Sequence, residues 1–156
     1  MKKQQLFMTG ILSGLLSYGL LGCSQSSLWE SSDSAEISGT HIQLESQLWL
    51  NNLPNVDRYA KKKQTLHGSL RLTRASLSPE KFKVDKLLLR QDKEALEINS
   101  RLVEIKALDE HQWEVVFRDE TQRLSKGKTD IAILLSSGDG DEAWLVEDKV
   151  IIQEVF

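Results

Sequence analysis

The sequence predicts an all-β domain, a single antiparallel β-sandwich, with a small open β-barrel as the alternative. Three observations predict it. From Thr40 onward, apolar residues recur at every second position, the period of a strand with one buried face. The apolar segments are short and are separated by clusters of Gly, Pro, Asn, Asp and Ser, which are turn formers. No long segment keeps the 3.6-residue period of a helix.

The elements follow in chain order. Ile42, Leu44, Leu48 and Leu50 share one face, and Gln43, Glu45 and Gln47 share the other. Leu66, Leu70 and Leu72 alternate with His67, Ser69 and Arg71. Phe82-Lys83-Val84 leads into Leu87-Leu88-Leu89, and a charged turn, Gln91 to Glu94, precedes a short strand with Leu96 and Ile98. Leu102 to Ile105 form another strand, and Trp113, Val115 and Phe117 mark the next. Ile131 to Leu135 is continuously apolar, as a strand buried on both faces would be. Ala143 to Val146 and Val150 to Phe156 complete the set. Between them, Asn51 to Asn55, Ser76 to Pro79, Asp109-Glu110, Ser125 to Lys128 and Gly138 to Asp141 read as turns. Residues 55–64 are expected to hold one helical turn.

Short strands separated by turns in this way resemble immunoglobulin or fibronectin type III domains. The domain is expected to cover residues 40–156, a length that supports one core without disulfides. The C-terminal strand, Val150 to Phe156, is either a free edge able to accept a partner strand or the strand that closes the sheet.

The amino terminus reads as an address. Met1-Lys2-Lys3 is a basic start, and the apolar run Leu6–Gly22 falls short of the about 20 residues a spanning helix wants. It ends in Leu20-Leu21-Gly22-Cys23, and Cys23 is the chain's one cysteine. This segment resembles a bacterial lipoprotein signal peptide, residues 1–22, with those four residues as its lipobox. The resemblance implies a diacylglycerol thioether on Cys23, cleavage just before it, and acylation of the new terminus. Two or three acyl chains anchor a protein stably where one does not. The bilayer, through acylated Cys23, is therefore an expected partner, and Ser24 is similar to signals that pass to the outer membrane of a Gram-negative cell, facing the periplasm. Residues 23–39, serine-rich and with little apolar content, are expected to be a flexible tether. Leu28 and Trp29 interrupt it and are read as docking on the domain or the bilayer interface.

Composition narrows the function mainly by exclusion. At 156 residues the chain is too short for a multidomain enzyme. One cysteine excludes an intramolecular disulfide and a cysteine zinc cluster. The formal net charge of −3, more acidic still once Lys2 and Lys3 leave with the signal, is the opposite of a nucleic-acid footprint. Both methionines lie in the signal segment, so the mature chain offers no thioether for copper(I).

Catalytic grammar is lacking. There is no Gly-x-Ser-x-Gly and no His-Glu-x-x-His, and carboxylate pairs such as Asp119/Glu120 fall in polar turns. His41, His67 and His111 have no metal-ligand spacing. Asp139, Asp141 and Glu142, beside Gly138 and Gly140, read as a solvated hairpin turn or as a hard-cation loop lacking the later ligands. Trp113 and Trp144 read as packing. Trp49 lies opposite Leu48 and Leu50 and is the tryptophan expected at the surface. With Arg58, Tyr59, Lys61, Lys62 and Lys63 it forms the expected ligand or partner contact. No metal, cofactor or enzyme activity is expected. The expected function is a membrane-anchored envelope lipoprotein that binds another envelope protein. A small-ligand or glycan binder, with a concavity beside Trp49, and an enzyme of unknown class are the alternatives.

Overall fold

A computed structural model describes residues 27–52, 64–75, 81–120 and 123–156. The signal segment with Cys23, and the contact residues Arg58, Tyr59, Lys61, Lys62 and Lys63, lie outside the described residues. The expected helical turn at 55–64 falls almost wholly outside them too.

Nine strands account for most of what is described: β1 (Ser34–Ile37), β2 (Thr40–Asn51), β3 (Thr65–Arg74), β4 (Phe82–Gln91), β5 (Glu94–Glu97), β6 (Val103–Ala107), β7 (Gln112–Asp119), β8 (Gly127–Ser137) and β9 (Glu142–Val155). A single 3-10 turn, Ser100–Leu102, stands between β5 and β6. The all-β prediction holds. The strands form one hydrogen-bonded path, β5-β4-β8-β9-β2-β3-β7-β6, with β1 beside β2. This mixed sheet curls into a half-barrel, and β4 near one end comes close to β6 at the other.

The alternation read in the sequence is the cause of the curl. Along β2, Ile42, Leu44, Leu48 and Leu50 are buried, while His41, Gln43, Glu45 and Gln47 are exposed. Leu66, Leu70 and Leu72 on β3, Leu87 and Leu89 on β4, Val115 and Phe117 on β7, and Ile131, Ile133 and Leu135 on β8 continue that inner layer. Burying a Leu or Ile side chain contributes roughly 1.5–3 kcal/mol. A sheet that wraps its apolar face around itself therefore needs no second layer. One end of the interior is closed by rings: Phe82 meets Trp113 edge-on at 5.3 Å between centroids, and the Arg74 guanidinium lies 4.6 Å above the Trp113 ring. Trp113 thus packs against the core, as expected.

Gly68 shows how tightly the interior is filled. A Cβ placed there would lie 2.0 Å from Phe117 Cε1 and 2.4 Å from its Cζ. The Phe117 ring, 3% exposed, occupies the space that any other residue at position 68 would need.

Two expectations are corrected. The sheet is not purely antiparallel, because β2 and β9 pair in parallel, Leu48 with Ile152 through Asn51 with Val155. The serine-rich stretch is not a tether up to residue 39, and the folded unit begins before residue 40. β1 pairs antiparallel with the start of β2 through a two-residue turn, Ser38-Gly39, both at positive φ (49° and 73°), the geometry that matches strand twist in tight hairpins. Ile37 is 1% exposed in the core. β1 occupies the edge of β2 that β9 leaves open, since β3 covers the other edge throughout. Of the two readings of the C-terminal strand, the structure shows the one that closes the sheet. β9 lies between β8 and β2 in the middle of the path, and Asn52 N–H donates to Val155 O at 2.9 Å.

The segment ahead of β1 lies against β4, β5 and β9. The Arg90 guanidinium lies 4.4 Å over the Trp29 ring, Val146 N–H donates to Ser32 O at 2.8 Å, and Leu28 and Trp29 line a hollow with Leu88 and Trp144. Leu28-Trp29 thus docks on the domain, as one of the two expected readings had it.

Candidate binding face

Trp49 stands on the outer face, where the alternation of β2 puts it. Register then builds a row across four strands: Gln153 on β9 beside Trp49, Trp49 beside His67 on β3, and His67 beside Arg118 on β7. The Trp49 and His67 rings stack with centroids 5.5 Å apart and planes within 5°, the offset arrangement that aromatic quadrupoles favour. Burial lowers the His67 pKa from its usual 6.5, and the positive charge of Arg118 lowers it further. The imidazole is therefore neutral at pH 7 and offers a nitrogen acceptor as well as a donor.

A depression lies on each side of this pair. One, of about 310 Å³, is lined by Trp49, His67, Leu102, Glu104, Val116 and Arg118 among others. The other, of about 550 Å³, is lined by Gln47, Trp49, Ile151, Gln153 and Val155 with the β2 backbone. Ile151 and Val155 are half exposed, and Phe156 is 80% exposed. The depression on the His67 side is mainly apolar and aromatic, with Arg118 and Glu104 at its rim, and the one on the Gln153 side mixes apolar Ile151 and Val155 with the amides of Gln47 and Gln153.

Of the residues expected to form the contact, the structure places Trp49, and the other five fall outside the described residues. Sequence reasoning noted His67 only as a scattered histidine and passed over Ile151 and Val155 as surface residues. The signal for both was present: His67 alternates with Leu66 as Trp49 does with Leu48 and Leu50, and Ile151 alternates with Ile152. What joins them is the register of three strands.

The other expected features are dispersed. His41 and His111 lie near the Arg74 end of β3, since Ala75 N–H donates to His41 O and Arg74 N–H to His111 O, whereas His67 is at the opposite end. Among the described residues, no group of three or more His, Cys, Asp or Glu is placed to hold a metal ion. The turn at Gly138 to Asp141 joins β8 and β9. Its Asp139 carboxylate accepts hydrogen bonds from the Ser137 and Ser38 hydroxyls, which hold its pKa below the usual carboxylate value. That carboxylate pins the β1–β2 turn to the β8–β9 turn.

A second polar spot lies where β2 and β9 diverge. Ser46 Oγ and Glu147 Oε2 are both buried without a hydrogen-bond partner. Burial raises the Glu147 pKa, the negative charges of Asp33 and Glu45 add to the rise, and nearby Ser46 partly offsets it.

Comparison with protein-family models, curated proteins and solved structures finds no match to this chain.

Proposed function

We propose that the chain is a lipid-anchored cell-envelope protein, held through acylated Cys23, whose domain binds another envelope protein without catalysing a reaction. The Trp49 face carries this reading. Half-buried Trp49, with exposed Ile151 and Val155 on one side and an apolar depression rimmed by Arg118 and Glu104 on the other, has the character of a docking site, where rigid aromatic anchors dominate binding energy. In a Gram-negative cell the anchor would sit in the outer membrane with the domain in the periplasm. The architecture is best read as the small open barrel rather than a two-sheet sandwich. The unbroken hydrogen-bonded path and the Phe82–Trp113 contact between β4 and β7 support that reading.

A photo-reactive residue in place of Gln153, in intact envelopes, tests the docking face. The expected result is one reproducible protein adduct that Trp49→Ala and Ile151→Glu remove. Absence of any protein adduct would overturn the reading. A small ligand or glycan is the second reading, favoured by the two depressions flanking Trp49. It predicts saturable quenching of tryptophan emission by a member of a glycan panel, lost in Trp49→Phe. For the anchor, Cys23→Ser is expected to abolish fatty-acid labelling and to release the protein from the membrane, and persistent labelling refutes the anchor.

A further inference from the structure

β6 ends the sheet. Among the described residues β7 is the one strand paired with it. On its other edge Val103 N–H donates to Ser100 O, and the groups from Ile105 to Ala107 remain as a template for another strand. Four of its five residues are exposed. The apolar residues on it and beside it are exposed as well: Leu102 by 42%, Ile105 by 39% and Leu108 by 50%.

The sequence of this edge complements itself. Set against a second copy running antiparallel, with Ile105 opposite Ile105, Val103 faces Ala107 and Glu104 faces Lys106. Every charge meets its opposite and every apolar residue meets an apolar one. Sliding the register by one pairing step in either direction sets Glu104 against Glu104 or Lys106 against Lys106, and like charges directly opposite are destabilising. Within one copy, Lys106 Nζ and Glu104 Oε2 are 3.4 Å apart and both side chains are well exposed. They can exchange partners across the edge at little cost.

We propose that β6 is a homotypic edge: two copies of the chain join antiparallel through Val103–Ala107 about a two-fold axis at Ile105, making one continuous sheet. A two-fold contact of this kind is self-complementary by construction. The pairing satisfies the edge groups, covers Ile105 with its symmetry mate and joins the two interiors. It also brings the partner's Lys106 to the rim of the depression lined by Glu104, so each Trp49 face gains a cation from the neighbouring copy. The proposal stands independently of what binds that face.

Symmetry makes the test sharp, because only residue 105 meets itself. In the full chain carrying Cys23→Ser, which removes the native thiol, Ile105→Cys is expected to form a disulfide-linked homodimer on mild oxidation. Val103→Cys and Ala107→Cys are expected not to, since identical residues there lie four positions apart along the pairing, about 13 Å, beyond the about 7 Å a disulfide spans. Adding Lys106→Glu to Ile105→Cys should lower the yield about tenfold, because each change acts twice about the axis, and adding Glu104→Lys as well should restore it. Circular dichroism of each variant checks that the fold is intact. Equal cross-linking at 103, 105 and 107, no homodimer at 105, or indifference to Lys106→Glu would overturn the proposal. Capture of a different envelope protein at 105, with no homodimer, would overturn it too and assign the edge to that partner.

Discussion

Trp49 and His67 lie flat against one another on the outer surface, one from each of two neighbouring antiparallel strands. An aromatic pair of this kind contributes about 0.5–1.5 kcal/mol beyond the area it buries. The surroundings of the pair leave a signature in the imidazole. The His67 pKa is expected below 6.5, as burial and Arg118 both oppose its protonation. Titrating its ring protons by NMR checks this. Arg118→Gln and Trp49→Ala should each raise the value, the first by removing a charge and the second by letting in water. Because the folded-state pKa is depressed, the linked stability is present above 6.5 and is lost as pH falls through the folded value. A ring titrating at or above 6.5 would mean that burial and Arg118 do not act on it as described.

The Phe117 ring over Gly68 predicts a steric lesion with a specific cure. Gly68→Ala overpacks a filled interior and should cost about 1–3 kcal/mol in urea unfolding. Phe117→Leu alone opens a cavity and also destabilises. The double variant should be more stable than the sum of the two losses, the coupling expected of residues in direct contact. Strict additivity would mean that the two positions do not share that space.

Glu147 gives a second pH dependence, of opposite sign to that of His67. Its raised pKa means that the folded state favours the neutral acid. The associated stability is fully present below the unfolded-state pKa, about 4.3, and is lost as pH rises through the folded value. Glu147→Gln keeps the shape without the charge. It should shift the urea midpoint upward at pH 8, and the gain should shrink toward zero at pH 3.5. A gain independent of pH would assign the effect to packing instead.

The placement of β1 makes a prediction about truncation. A chain beginning at residue 27 keeps the Trp29 cover and β1, and it should fold. A chain beginning at residue 40 loses the β1 pairing and the burial of Ile37, roughly 1.5–3 kcal/mol for that side chain alone, out of the about 5–15 kcal/mol that holds a typical domain folded. Its melting temperature should fall well below that of the longer chain. Equal melting temperatures would show that the segment merely rests against the sheet.

Local pattern carried much of the fold. Ile42 to Leu50 shows which β2 residues turn inward, and the unbroken run Ile131 to Leu135 marks a strand covered on both sides. Ser34-Ala35-Glu36-Ile37 carries no such mark. Its one strongly apolar residue is framed by polar neighbours, and only the partner edge of β2 makes it a strand. The parallel pairing of β2 with β9 was equally hidden, because a contact between residues about a hundred positions apart leaves no trace in either segment. The binding face lay between these cases. The outward direction of Trp49 followed from alternation, but its neighbours His67, Gln153 and Arg118 followed from register, which no single strand encodes.

The central position of β9 bears on how the chain is made. β9 is the last of the nine strands in chain order, yet β2 and β8 both wait for it. A polypeptide emerging amino end first can form the β2–β3 hairpin early, but it cannot complete the sheet until residues 142–155 have appeared. Until then two long edges stay open, the state in which strands pair wrongly or aggregate. Late closure places the aggregation risk in the interval before β9 arrives.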